Sequence, residues 1–128
     1  MKKLFISCPM AGRSEENILK TMEMLHKIAE IMMDEELEVI PTYLDETAPD
    51  SVCNNAVWFL GRSIELMAEA DCFTCINLAF ERTKYHGCDI ERKVATHYGL
   101  KVLSVDLMSF PSVAQDLYEE ISLRGGIL

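Results

Sequence analysis

The chain has 128 residues, 49% of them hydrophobic and 26% charged, the make-up of one globular domain, 1–128, with a sizeable core. Its net charge of −9 argues against a nucleic-acid polymer as partner, which needs a basic surface, but leaves room for a small nucleotide held by a few arginines and one helix N-terminus. No stretch is long enough to span a membrane. The start, Met1 to Cys8, superficially resembles a lipoprotein signal, yet its apolar run is too short and Pro9 breaks it, so a cytoplasmic location is expected.

A buried-type apolar run over 3–7 predicts the first strand. Ser14 then reads as an N-cap, with Glu15 and Glu16 in the first turn of a helix whose inner face is Ile18, Met22, Leu25, Ile28, Ala29 and Met32. A second strand is expected over 38–41 and a polar loop over 42–51. A second helix follows over about 54–69, with Val57, Leu60, Ile64 and Met67 on its inner stripe. Gly61 weakens that helix by about 1 kcal/mol relative to alanine, which suggests close packing or a ligand near the backbone, with simple tolerance as the alternative. Trp58 and Phe59 fall on or beside the helix's outer flank, where adjacent aromatics suit a subunit interface or packing under the 42–51 loop. The third strand is the run from Cys72 to Leu78. After a loop over 80–86 a helix opens at Gly87 and closes at Tyr98-Gly99, followed by a strand over 101–105 and a last helix over 112–122.

Strands alternating with helices predict a flavodoxin-like or Rossmann-like three-layer sandwich around a parallel sheet of four or five strands. Cys72 and Cys75 lie three apart on a strand and point to opposite faces, so they do not chelate one ion; with Cys53 they read as buried free thiols. Cys8 and Cys88 fall at the ligand end of the sheet. Packing suits Cys88 best, with a thiol acidified by the helix start as the alternative.

Open parallel sheets bind ligands beyond the carboxyl ends of their strands. There, Glu91 shares a helix face with Gly87, Val94, Ala95 and Tyr98, which puts a carboxylate on the sheet-facing side of a first turn. Service to the helix dipole would place it outward, as Asp89 is placed, so Glu91 is the candidate functional group. The loop from Cys8 to Ser14 offers Gly12, Arg13 and backbone amides to an anion, or is simply a tight turn. In the other loops, Asp45 or Glu46 could hold sugar hydroxyls, and Phe80 or Tyr85 could stack on a base.

The elements Ile6-Ser7-x-Pro9-Met10-x-Gly12, Leu60-Gly61-Arg62-Ser63-Ile64, Ala70-Asp71, Gly87-Cys88-x-Ile90-Glu91 and Tyr98-Gly99 resemble the nucleoside 2-deoxyribosyltransferase-like superfamily, in a branch common in bacterial and phage genomes. The resemblance runs from the first strand to the fourth. It implies that Glu91 attacks the anomeric carbon of a nucleoside, that the base leaves, and that a second base or water releases the sugar. It further implies ligand contacts at Ser7, Pro9, Met10, Gly12, Arg13, Ser63, Tyr85, Gly87 and Cys88, no metal or other cofactor, and a homodimer or larger homo-oligomer. Base protonation would fall to Tyr85, His86 or Asp45. The chain departs from the family pattern where Phe5 replaces a tyrosine and where Ser63 and Tyr85 replace aspartates; Cys8, Pro9 and Ala11 replace part of a phosphate-binding pattern. The expected function is therefore cleavage or transfer of an N-glycosidic bond in a nucleoside or nucleotide. The alternative is a non-catalytic nucleotide-binding module of the same fold.

Overall fold

The computed structural model describes residues 1–10, 12–42, 46–77 and 85–107. Its elements in chain order are β1 (Lys2–Ser7), α1 (Glu15–Met33), β2 (Leu37–Val39), α2 (Asn55–Met67), β3 (Cys72–Asn77), α3 (His86–His97) and β4 (Lys101–Asp106). The strands form one parallel sheet in the order β2-β1-β3-β4, giving a three-layer α/β sandwich of flavodoxin-like or Rossmann-like type. The sheet has four strands among the described residues. The expected last helix, and most of the loop before α3, lie outside the described residues.

Side chains alternate across a strand, and β1 shows what this does. Leu4 and Ile6 join Ile18, Leu25 and Ala29 in a core beneath α1. Phe5 turns to the other face and meets Phe73, Met67 and Ala95 under α2 and α3. The rings of Phe5 and Phe73, register partners on adjacent strands, stack with centroids 5.6 Å apart. Each such buried side chain is worth about 1.5–3 kcal/mol.

Local chemistry sets the element ends. The Ser14 side chain accepts from the Asn17 amide at 3.1 Å and caps α1. Asp34 closes the helix in the left-handed region at φ 53°. Strand β2 ends two residues earlier than the expected 38–41: the Ile40 amide still donates to the Leu4 carbonyl at 2.9 Å, but Pro41 has no donor to continue the ladder. Strand β4 ends one residue beyond the expected bound, at Asp106, and α3 begins one residue earlier, at His86; Leu78, the expected last residue of β3, lies outside the described residues. Glu91 therefore belongs to the second turn of α3 rather than the first.

Four sequence expectations are corrected. Met32 is 51% exposed, because the inner face of α1 passes instead through Thr21. Val57 is 61% exposed, since α2 buries only Met67 completely. Cys53 precedes α2 and is exposed, so of the three expected buried thiols only Cys72 and Cys75 are buried. A side-chain carbon added at Gly61 would meet nothing within 4 Å, so close packing within the chain does not explain that glycine.

Candidate active site

The sheet order creates the site before any side chain is considered. The chain leaves β1 through α1 toward β2 and leaves β3 through α3 toward β4, so the connections diverge between the paired strands β1 and β3. Open α/β sheets hold ligands at such a switch point. A cavity of about 530 Å³ lies there, within the range of small-molecule sites. Its wall includes Phe5, Ile6, Cys8 and Met10 from β1 and the turn after it, Thr42 past β2, Phe59, Leu60 and Ser63 from α2, and Tyr85 to Cys88, Ile90 and Glu91 around α3.

Glu91 is the acidic residue in this wall and is 9% exposed. The Ser7 hydroxyl donates to its Oε1 at 2.8 Å, joining the end of β1 to α3 across 84 residues of sequence. Ser63 on α2 lies close enough to the carboxyl to lower its pKa as well. Burial raises the carboxyl pKa from its ordinary value of 4.5 to about 7, against the lowering effect of the two serine hydroxyls. The group thus changes charge near neutrality, the range in which a carboxylate serves as nucleophile or base. Asp89, two residues earlier and so on another side of the helix, faces Arg92 and Lys93 at 2.9 and 3.0 Å, and these cations hold its carboxyl below the ordinary range. The two acids of this helix are divided by their surroundings: Asp89 serves its own helix, and Glu91 faces the cavity.

Ser63, Met10, Tyr85, Gly87 and Cys88 all line the cavity with Glu91, while Ser7 is bonded to the carboxylate from outside the wall. Gly87 sits where α3 meets α2, and a side-chain carbon there would make an ordinary contact with Leu60 Cδ1 at 3.9 Å. The Cys88 thiol is pushed up by burial and by Glu91, so the helix start does not acidify it. Burial likewise pushes the Cys8 thiol up to about 12, and both cysteines act as neutral packing groups.

Pro9, Gly12 and Arg13 lie outside the cavity wall. Gly12 is exposed with φ 77°, a conformation that glycine adopts without strain, and the turn closes through the Arg13 amide on the Met10 carbonyl at 3.0 Å. Pro9 is fully buried. The Arg13 guanidinium turns inward, donating to the Pro9 carbonyl at 2.9 Å and to Thr21 Oγ1 at 2.9 Å, so it ties this loop to α1. Asp45 and Phe80 lie outside the described residues, and Glu46 engages Arg62.

The apolar wall was the part hidden in the sequence. Val57, Phe59 and Leu60 face the cavity from α2, where helical spacing alone marks an inner stripe or an outer flank. Phe59 also packs edge to face against half-buried Trp58, with centroids 4.9 Å apart. An aromatic pair beside a carboxylate-bearing helix is the available signal, and it reads equally well as an interface.

The fold and this cavity define a flavodoxin-like or Rossmann-like α/β domain with a buried carboxylate at its switch point. No protein family, curated protein or solved structure matches the chain. Among the described residues, no helix is long and apolar enough to cross a membrane.

Proposed function

We propose that this protein cleaves or transfers the N-glycosidic bond of a nucleoside or nucleotide, with Glu91 as the nucleophile, and that it belongs to the nucleoside 2-deoxyribosyltransferase-like superfamily that its motifs resemble. The observation that carries this reading is the buried Glu91 carboxyl, hydrogen-bonded by Ser7 at 2.8 Å and facing a cavity of about 530 Å³ at the carboxyl edge of the sheet.

In the proposed reaction ionised Glu91 attacks C1′ of the sugar. A carboxylate–C1′ bond forms as the C1′–N bond breaks, and the bonding pair leaves with the base, which takes a proton from His86, Tyr85 or water. Water or a second base then attacks C1′ and expels Glu91. The result is hydrolysis or transfer with retained configuration. The apolar wall from Phe59 and Leu60 excludes water around the reacting carbon and offers a face to the base. A homodimer is the expected assembly.

The alternative, a nucleotide-binding module without turnover, is favoured by Ser63 and Tyr85 standing where family members carry aspartates. Chromatographic analysis of pooled nucleosides and 5′-nucleotides, with and without an acceptor base, separates the two. Base release is expected, falling by about 10³-fold or more in Glu91→Gln with ligand binding retained. Normal turnover by that variant would overturn the mechanism. Ligand retained without turnover in the unaltered protein would establish the binding module.

A further inference from the structure

Ser7 occupies an unusual position for a polar side chain. It is 2% exposed at the carboxyl end of a central strand, takes no part in the cavity wall, and spends its hydroxyl on Glu91 Oε1 at 2.8 Å. A ligand in the cavity meets Glu91 and Ser63 but not Ser7. The sheet supplies the rigidity: Ser7 is in register with Cys75 of β3, and its neighbours Phe5 and Ile6 are also almost fully buried. A donor fixed to the strand loses little freedom when it forms its bond, whereas a donor on a loop would.

We propose that Ser7 is a positioning residue for Glu91: its hydroxyl fixes one carboxylate oxygen from outside the wall, favours the ionised form, and keeps the group aimed into the cavity. Ser63, which lines the cavity with Glu91, also lowers the carboxyl pKa, from the side that a ligand reaches. The other groups around the carboxyl do little of this work. The thiols of Cys8, Cys75 and Cys88 are all pushed up by burial and stay neutral. His86 and Tyr85 lie along the same wall, and among the described residues no lysine or arginine lines it. Two serine hydroxyls thus take the part that a cation would play elsewhere in keeping a buried carboxylate charged.

The inference rests on Glu91 being the reactive group, but its test needs no turnover. The carboxyl carbon of Glu91 is titrated by NMR in the whole protein, its resonance identified by loss in Glu91→Gln. Ser7→Ala is expected to raise the midpoint by about one pH unit or more, since a bond to a charged acceptor is lost. Ser7→Cys, nearly the same size and a weaker donor, is expected to shift it the same way and covers the case in which the alanine variant fails to fold. Ser7→Thr, which keeps the hydroxyl, restores the original midpoint. In the same variants the acid limb of the kcat/KM profile should move with the midpoint, costing about fivefold or more at pH 7 with KM little changed. An unmoved midpoint in the alanine and cysteine variants would overturn the role of Ser7 even with base release intact. A shifted midpoint without base release in any variant would uphold Ser7 and strike only the proposed reaction.

Discussion

The two faces of the sheet are built from similar residues and end in different states. On the α1 face, Leu4, Ile6, Ile18, Leu25 and Ala29 close on one another, and the void among Leu25, Ile28, Ile76 and Val105 measures about 10 Å³. On the opposite face, Phe5, Phe73, Met67 and Ala95 fill only the lower part of the layer, and toward the carboxyl edge α2 and α3 leave a cavity of about 530 Å³. Both faces present apolar stripes at helical spacing. One excludes water throughout, and the other leaves a space of small-molecule size. The difference lies in the helices: α1 runs 19 residues across all four strands, whereas α2 runs 13 and buries only Met67 completely.

If this contrast is right, truncation on the two faces has unequal cost. Leu25→Ala, at a site 2% exposed, should lose about 2–5 kcal/mol in urea unfolding. Val57→Ala, at a site 61% exposed, should lose less than about 0.5 kcal/mol and instead weaken ligand binding. Equal losses at the two positions would remove the distinction.

The open face should also carry a pH signature. The folded protein holds the Glu91 proton up to about pH 7, while in the unfolded chain it leaves near 4.5. Between those values the native state binds more protons, so this group's contribution to stability is full below pH 4.5 and is lost as pH rises through 7. The loss amounts to roughly 3 kcal/mol. Glu91→Gln, which has no charge to bury, should therefore gain on the unaltered protein by about that much between pH 4 and pH 9 in paired denaturation curves. A constant gap between the two curves would place Glu91 in water.

Arg13 tests the boundary between the faces. Its guanidinium ties the loop after β1 to Thr21 of α1. Arg13→Ala should cost about 1–3 kcal/mol of stability, with KM altered equally for phosphorylated and unphosphorylated ligands. A selective loss of phosphorylated ligands would return Arg13 to the site. A gain in place of a loss is expected at Gly61, where a side chain meets nothing within 4 Å. Gly61→Ala should stabilise the protein by up to about 1 kcal/mol in thermal melts, with base release unchanged.

The residues that misled are instructive about what periodicity reports. Val57 keeps the helical spacing of a core residue because it faces inward, yet the space it faces is open. Arg13 has the charge and the neighbouring glycine of an anion site, yet its long side chain reaches back to α1 rather than forward. Cys53 is apolar enough for a core but precedes the N-cap Asn54 in an exposed stretch. Glu91 was legible for the opposite reason: a charge on a face that should be apolar is a local contradiction, and local contradictions collect at functional sites.

The sequence by itself determined the order of strands and helices, the parallel sheet and the presence of Glu91 on the inner side of α3, because these follow from periodicities of two and 3.6 residues and from caps that act within a few positions. Only the tertiary structure decided that Ser7 would meet Glu91 across 84 residues, that the inner stripe of α2 would border a cavity, and that the carboxyl would titrate near neutrality. Hydrogen bonding between distant segments and desolvation depend on how closely the layers approach, and no local pattern encodes that distance.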